Sequence, residues 1–180
     1  LSRVRSSLQI FDILRFDHFR GFAGYYEIPA DHKTAELGRW VTGPGQDLFR
    51  AVDKFLGDGL ITRGTGLPII AEDLGLVTPD VAELLNAFNL PGMKVLQFGF
   101  SGPDNPFLPH NYVTNCVAYT GTHDNDTARG WFESAEPHER EFAQRYLRVD
   151  GSDFAWDLIR TVWGSVADIA ITPMQDILNL

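Results

Sequence analysis

The sequence lacks several features that mark particular classes of protein. Its 180 residues include one cysteine, Cys116, so an internal disulfide framework is excluded. No apolar run approaches the roughly 20 residues that a membrane-spanning helix needs. The 15 Lys and Arg residues are outnumbered by 24 Asp and Glu residues, and they form no basic run. We therefore expect neither a nucleic acid nor a membrane surface as a partner.

What the sequence does have is a regular alternation of apolar strands and helical patterns. The predicted strands lie near residues 13–16, 67–71, 93–97, 116–119 and 167–171, and the predicted helices near 1–10, 46–56, 78–88, 137–147 and 154–166. Residues 21–44 and 101–115 are predicted to be long loops. This order favours an α/β fold with parallel strands, and about five strands correspond to half of a (β/α)8 barrel.

The first predicted strand ends in a cluster of charged side chains. Arg15 and Asp17 are two residues apart, so they lie on the same face of an extended strand. A guanidinium beside a carboxylate favours the ionised carboxylate, which is the form that acts as a nucleophile. The end of this strand is therefore a candidate catalytic position.

Two further strands end in acids. Glu72 and Asp73 follow the strand at 67–71, and His123 and Asp124 follow the strand at 116–119 after a short Thr-Gly-Thr segment. The carboxyl ends of parallel barrel strands share one face. We therefore expect Asp17, Glu72 and Asp124 to converge on one pocket.

Two carboxyl groups on neighbouring strand ends suit retaining glycoside transfer. One attacks the anomeric carbon of a sugar, and the other first protonates the leaving oxygen and then deprotonates the acceptor. Asp17 and Glu72 fit these roles if their carboxyl groups lie about 5–5.5 Å apart. Asp124 is positioned to bind sugar hydroxyls and to favour ring distortion, and His123 to donate a hydrogen bond to the same sugar.

Simpler interpretations exist for each residue taken singly. An acid after a strand is usually a helix cap or a solvated loop residue, and Asp73 is expected to fix the loop rather than to react. A metal site at His123, Asp124 and Asp126 is disfavoured because their spacing matches no standard zinc or calcium pattern. Among the aromatic residues of the predicted loops, Tyr26 is the candidate for stacking on a sugar, although packing within the loop is an equal alternative.

Three motifs together resemble the strand-end signatures of a known family. They are residues 15–22 (Arg-Phe-Asp-His-Phe-Arg-Gly-Phe), 70–75 (Ile-Ala-Glu-Asp-Leu-Gly) and 119–127 (Tyr-Thr-Gly-Thr-His-Asp-Asn-Asp-Thr). In this order they closely resemble the 4-alpha-glucanotransferases, the amylomaltases or disproportionating enzymes of glycoside hydrolase family 77 in the alpha-amylase clan. The linking segments 25–29 and 105–112 also resemble the family, so the likeness covers essentially the whole chain.

The resemblance implies specific roles for the strand-end residues. Asp17 would be the nucleophile, Glu72 the general acid/base and Asp124 the transition-state stabiliser. Supporting or sugar-contacting positions would be Arg15, His18, His123 and Asp104. The family transfers part of an alpha-1,4-glucan, such as a maltooligosaccharide or a chain from starch or glycogen, to another 4-hydroxyl. No metal or organic cofactor is implied, and the location would be the bacterial cytoplasm or, in a plant or alga, the plastid stroma.

Two other functions remain compatible with the same acids. A hydrolase of the same clan would pass the intermediate to water instead of to a sugar. A non-catalytic glucan-binding module would keep the aromatic loops, although it would not need all three acids. The amino-acid sequence of the first motif, residues 15–22, favours the transferase.

The resemblance also predicts that these residues are part of a larger enzyme. Family members are several hundred residues long, and residues 1–180 match a partial catalytic barrel, from about strand 4 to strand 8 of the (β/α)8 fold. We expect the isolated 180-residue chain to be inactive, because it lacks the remainder of its own barrel. Incubation of the purified chain with maltotriose tests this expectation, and appreciable formation of longer oligosaccharides would contradict it.

Overall fold

A computed structural model describes residues 1–57, 66–75 and 77–180 of the protein, which has a mixed α/β fold. The chain divides into two compact units, Leu1–Gly92 and Met93–Leu180. The elements of unit 1 are α1 (Ser2–Leu8), β1 (Leu14–Phe16), α2 (Arg20–Ala23), β2 (Gly24–Glu27), β3 (Arg39–Thr42), α3 (Gly45–Gly57), β4 (Ile69–Ala71) and α4 (Pro79–Ala87). Those that follow are β5 (Gly92–Val95), β6 (Cys116–Tyr119), α5 (Ala128–Ser134), α6 (Pro137–Leu147), α7 (Phe154–Trp163), β7 (Ile169–Ile171) and α8 (Met174–Ile177).

Unit 1 is organised around the parallel pair β1 and β4. Leu14 lies opposite Ile69 and Phe16 opposite Ala71, so the two strands end at the same level. The helical pattern predicted at 46–56 corresponds to α3, which buries Phe49 and Val52 against this pair. The ring of Phe49 contacts the rings of four other phenylalanines at centroid distances from 5.4 to 6.1 Å. An aromatic core thus packs behind the strand ends.

The prediction of a loop at 21–44 is wrong in part, because this segment contains a β-hairpin. Strand β2 pairs antiparallel with β3, with Glu27 opposite Arg39. These two side chains form an ion pair at 2.8 Å. The hairpin leaves Tyr25, Tyr26 and Trp40 exposed. Alternation of buried and polar residues is therefore weak in both strands, which is why the pattern did not indicate them.

The start of α4 lies within the range predicted for this helix. The helix begins at Pro79, and the side chain of the preceding Thr78 makes no capping hydrogen bond to the helix backbone. A hydrogen bond from Thr78 to the neighbouring Asp80 side chain instead lowers the pKa of that exposed carboxyl group. Thr78 thus stabilises a charge in the first turn, where a negative charge is favourable.

Unit 2 contains the sheet β5–β6–β7, in which β6 and β7 are parallel. All four residues of β6 are buried, including Cys116, which packs in the core. Helix α6 has its predicted bounds, and α7 begins at Phe154 as predicted but ends three residues early, at Trp163, whereas α5 was missed. It is a seven-residue helix capped by the Thr127 hydroxyl, which accepts a hydrogen bond from the Gly130 N–H.

The segment predicted as a long loop at 101–115 is confirmed, and it includes one 3-10 turn at Pro109–Asn111. The Asn105 side chain donates to the Phe98 carbonyl at 2.8 Å, and the Tyr112 hydroxyl donates to the Phe107 carbonyl at 2.9 Å. Burial raises the pKa of Tyr112. None of the described helices has the length and apolar character required to cross a membrane.

Gly92, at the start of β5, offers a direct test of packing close to the predicted site. Its Cα lies against the carboxyl group of Asp73, and an added Cβ would overlap all three heavy atoms of that group. We expect Gly92→Ala to lower the free energy of unfolding by about 1–3 kcal/mol, measured by chemical denaturation. Gly102→Ala is the matched control, because no atom lies within 4 Å of an added Cβ there. Equal stability of the two variants would contradict this prediction, because it would show that the Asp73 carboxyl group moves aside without cost.

Candidate active site

The end of β1 carries the first candidate acid. Asp17 follows Phe16 directly, and its Oδ1 lies 2.7 Å from Nη2 of Arg15. The Asp17 side chain is 75% exposed, whereas that of Arg15 is 30% exposed. The guanidinium is thus anchored along the strand and holds the carboxylate in one orientation while leaving it open to solvent and to a ligand.

Backbone hydrogen bonds join Glu72 to the same strand end. The Glu72 N–H donates to the Phe16 carbonyl at 3.0 Å, and the Glu72 carbonyl accepts from the Phe19 N–H at 2.9 Å. Hydrogen bonding between the two segments therefore continues beyond Phe16 and Ala71, the last residues paired in the strands. As a result, Glu72 lies beside the turn that carries Asp17.

The Glu72 side chain is fixed by two further backbone donors. Its Oε2 accepts from the His18 N–H at 2.7 Å, and its Oε1 accepts from the Leu74 N–H at 2.9 Å. Each carboxylate oxygen has two lone pairs, so both atoms retain capacity for another partner. The Glu72 carboxyl group is thus oriented by two backbone N–H groups and can still accept a further hydrogen bond, and it lies next to His18, the residue after Asp17.

His18 reaches Glu72 through an unusual backbone conformation. Its φ angle is 46°, in the left-handed region that residues other than glycine adopt rarely. Such a conformation costs of the order of 1–3 kcal/mol and persists where the surrounding contacts hold it. Here the His18 N–H bond to Glu72 is one such contact, and the His18 side chain is left exposed.

The loop after β6 presents the third acid in unit 2. Asp124 Oδ2 lies 3.3 Å from Nε2 of His123, and both side chains are about three-quarters exposed. The loop is held internally by Asn125, whose Oδ1 accepts from the N–H and the hydroxyl of Thr122 at 2.9 and 2.8 Å. Beside it is a cavity of about 280 Å³ lined in part by His123, Asn125 and Gln175.

Sequence reasoning missed the residues that support this loop from within. Gln97, Thr120 and Asp176 are buried polar residues. The Gln97 side chain donates to the Asp126 carbonyl at 3.0 Å, and Asp176 accepts hydrogen bonds from Thr120 and Ala128. A polar residue that is buried by tertiary packing has no signature in the local sequence pattern, so the sequence offered no signal for Gln97 or Asp176.

The two remaining candidates lie in the connecting segments. Asp104 is exposed, and the side chain of the next residue, Asn105, donates a hydrogen bond to the Ser101 hydroxyl. Tyr26 is 39% exposed, but its hydroxyl donates to the Ala35 carbonyl at 3.0 Å and its ring contacts Trp40 edge-on. Two other aromatic residues, Phe19 in unit 1 and Tyr112 in unit 2, are buried in the hydrophobic cores of their units. The structure thus leaves the Tyr26 ring partly open while its hydroxyl is used within the hairpin.

Each unit therefore presents chemistry of a distinct kind. Unit 1 brings Asp17 and Glu72 to adjacent strand ends, with an arginine on the first and backbone donors on the second. Unit 2 presents an exposed histidine–aspartate pair on a supported loop. In the part of the chain that the structure describes, no three His, Cys, Asp or Glu side chains are grouped so as to hold a metal ion.

Comparison with known proteins identifies relatives along the whole chain. It is 47% identical over 182 residues to the chloroplastic/amyloplastic 4-alpha-glucanotransferase of Arabidopsis thaliana, covering all of this chain and 30% of that protein. It is 47% identical over 189 residues to the 4-alpha-glucanotransferase of Thermus thermophilus, again over the full chain and 36% of that protein. The chain thus spans about a third of the length of the curated relatives it matches.

Solved structures and a family model agree with these relatives. The amylomaltase from Streptococcus agalactiae in complex with acarbose superposes with a TM-score of 0.87 at 39% identity, over 99% of this chain and 35% of that one. The amylomaltase of Corynebacterium glutamicum, at 15% identity and a TM-score of 0.64, shares the fold over 88% of this chain and 27% of its own. The 4-alpha-glucanotransferase model of glycoside hydrolase family 77 matches residues 1–180. The chain therefore belongs to the 4-alpha-glucanotransferase family.

Proposed function

We propose that this chain is the acid-bearing part of a 4-alpha-glucanotransferase, with β1, β4, β5, β6 and β7 as strands 4 to 8 of a (β/α)8 barrel. Residues 1–180 would then be a partial catalytic domain of a longer enzyme. The observation that supports this proposal most directly is the hydrogen bond from His18 N–H to Glu72. It holds the general acid/base candidate beside the nucleophile candidate, on adjacent parallel strands.

In the proposed first step, an Asp17 carboxylate oxygen attacks the anomeric carbon of the donor sugar. The glycosidic bond breaks, and Glu72 gives its proton to the departing 4-oxygen. Arg15 holds Asp17 at 2.7 Å, so the attacking carboxylate is oriented before the substrate arrives. The product of this step is a glucan chain joined covalently to Asp17.

In the second step, the 4-hydroxyl of an acceptor glucan gives its proton to the Glu72 carboxylate. The acceptor oxygen then attacks the anomeric carbon and releases Asp17, and two inversions leave the anomeric configuration unchanged. Asp124, with His123 at 3.3 Å, takes the role of transition-state stabiliser by binding sugar hydroxyls in the distorted ring. His18, Asp104 and Tyr26 are the proposed sugar contacts, because all three are exposed.

The proposed substrates are alpha-1,4-glucans such as maltooligosaccharides, or chains derived from starch or glycogen. The printed names of the relatives and the acarbose bound by the Streptococcus agalactiae amylomaltase support this substrate class. Relatives occur in bacteria and in plant plastids, so we propose the cytoplasm or the plastid stroma as the compartment. A hydrolase of the same clan is the second candidate, because the same acids serve when water is the acceptor.

The first test is disproportionation of maltotriose by the full-length protein that contains these residues. We expect a ladder of longer maltooligosaccharides together with glucose, resolved by chromatography. Asp17→Asn should lower the rate by roughly a thousandfold or more, because the amide is not a nucleophile. Asp12→Asn, the same change at an exposed residue before β1, is the matched control and should leave the rate unchanged.

The products discriminate between the candidate functions. Glucose and maltose without longer chains would identify water as the acceptor and would favour the hydrolase. Binding of glucan without turnover by the unmodified protein would favour a non-catalytic module.

The second test separates the role of Glu72 from that of Asp17. We expect Glu72→Gln to lower transfer from maltotriose by about 10²–10⁴-fold, because the leaving oxygen is no longer protonated. With alpha-maltosyl fluoride as donor, most of the loss in the first step should disappear, since fluoride leaves without a proton. Release of fluoride is followed with an ion-selective electrode.

A matched control and an opposing outcome complete this test. Glu83→Gln makes the same change on the exposed face of α4 and should leave both donors unaffected. Fluoride released in the initial burst reports the first step alone, so an equal loss in that burst and in transfer from maltotriose would contradict the acid role of Glu72.

A further inference from the structure

Asp176 is a buried carboxyl group that the proposed mechanism does not use. It lies in α8 and is 1% exposed, although acidic side chains are seldom fully buried. Its Oδ2 accepts from the Thr120 hydroxyl at 2.6 Å, and its Oδ1 accepts from the Ala128 N–H at 2.7 Å. Both oxygens are thus engaged by groups of the same unit.

The two donors bracket the loop that carries Asp124. Thr120 directly follows β6, and Ala128 is the first residue of α5. The loop between them, residues 121–127, contains His123 and Asp124. One carboxyl group on a distant element of unit 2 therefore joins the two ends of this loop.

Other contacts complete the base of the loop but leave its tip open. The Gln97 side chain donates to the Asp126 carbonyl, and Asn125 accepts from Thr122. By contrast, the His123 and Asp124 side chains are 73% and 74% exposed. The loop therefore presents exposed functional groups on a base that is held by buried hydrogen bonds.

An apolar residue cannot replace Asp176 without consequence. It would leave the Thr120 hydroxyl and the Ala128 N–H buried without an acceptor, and buried unpaired polar groups are costly. The Ala128 N–H is in the first turn of α5, where the helix itself supplies no acceptor. Relief of that cost would require the loop ends to move, and Asp124 would move with them.

We propose that Asp176 is a positioning residue, which fixes the loop at 121–127 so that Asp124 is aligned with the reacting sugar. This inference rests on the proposed function, since it assigns a supporting role to a residue behind the transition-state stabiliser. Asp176 itself does not touch the substrate. A misplacement of about 1 Å in a catalytic group can cost of the order of 10²-fold in rate.

The test is a double-mutant cycle in the full-length protein, with Asp176→Asn, Asp124→Asn and both together. Asparagine has one acceptor oxygen, so its NH2 group would face one of the two donors that Asp176 accepts from. We expect Asp176→Asn to lower kcat for transfer from maltotriose by about 10–100-fold and to leave KM within about threefold, because alignment matters most in the transition state. In the Asp124→Asn background, the same change should cost less than about twofold. Asp153→Asn, at a partly exposed aspartate of unit 2, is the matched control and should behave as the unmodified protein.

A conservative substitution at Thr120 provides a rescue. Thr120→Ser keeps the hydroxyl that Asp176 accepts and should retain kcat, whereas Thr120→Val has a similar shape without the hydroxyl and should lose it. Losses for Asp176→Asn that are equal in the presence and absence of Asp124 would overturn the positioning role, because they would show a general effect on the fold. Equal kcat for the two Thr120 variants would overturn it as well.

Hydrogen exchange keeps the inference separate from the proposed function. Amides of residues 121–127 should exchange at least tenfold faster in Asp176→Asn than in the unmodified protein, with no change in Asp153→Asn, as followed by mass spectrometry. Unchanged exchange would overturn the inference whatever the protein catalyses.

If the unmodified protein forms only hydrolysis products, the transferase proposal fails, and the rates of the double-mutant cycle are then measured as glucose release. If it neither turns over maltotriose nor binds acarbose, the proposed function fails and the exchange measurement alone decides on the loop.

Discussion

The parallel pairing of β1 with β4 is the constraint on which the candidate chemistry of unit 1 depends. Because the strands end level, the residues that follow them are neighbours in space although they are far apart in sequence. The bonds from Glu72 to Phe16, Phe19 and His18 extend this pairing into the loops. The position of one acid is thereby set by the backbone of the segment that carries the other, and the phenylalanine core behind them keeps that segment in place.

The sequence predicted the parts of the structure that local pattern determines. The ion pair of Arg15 with Asp17 follows from the period of a strand, and the amphipathic stripe of α3 follows from the period of a helix. The hairpin of β2 and β3 was missed because its exposed aromatics remove the alternation that marks a strand. Helix α5 was missed because seven residues give too short a stretch to show a period.

The same distinction applies to the candidate site. Residues that point outward from strand ends are visible in the sequence as acids in an otherwise apolar context, as Asp17, Glu72 and Asp124 are. The residues that hold them belong to other elements, and Gln97 and Asp176 resemble ordinary surface residues until the fold buries them. Recognition of the candidate acids is therefore easier from sequence than recognition of the residues that support them, although the geometry of the candidate site depends on both.

The left-handed backbone at His18 restricts which amino acids can occupy that position in any redesigned or evolved variant. A β-branched side chain such as valine, isoleucine or threonine clashes with its own backbone at a φ of 46°, whereas glycine and asparagine tolerate this conformation. The backbone at His18 thus demands a permissive residue independently of what the side chain does. A library that keeps the Glu72 contact would be enriched in a small subset of residue types, even where the imidazole is dispensable.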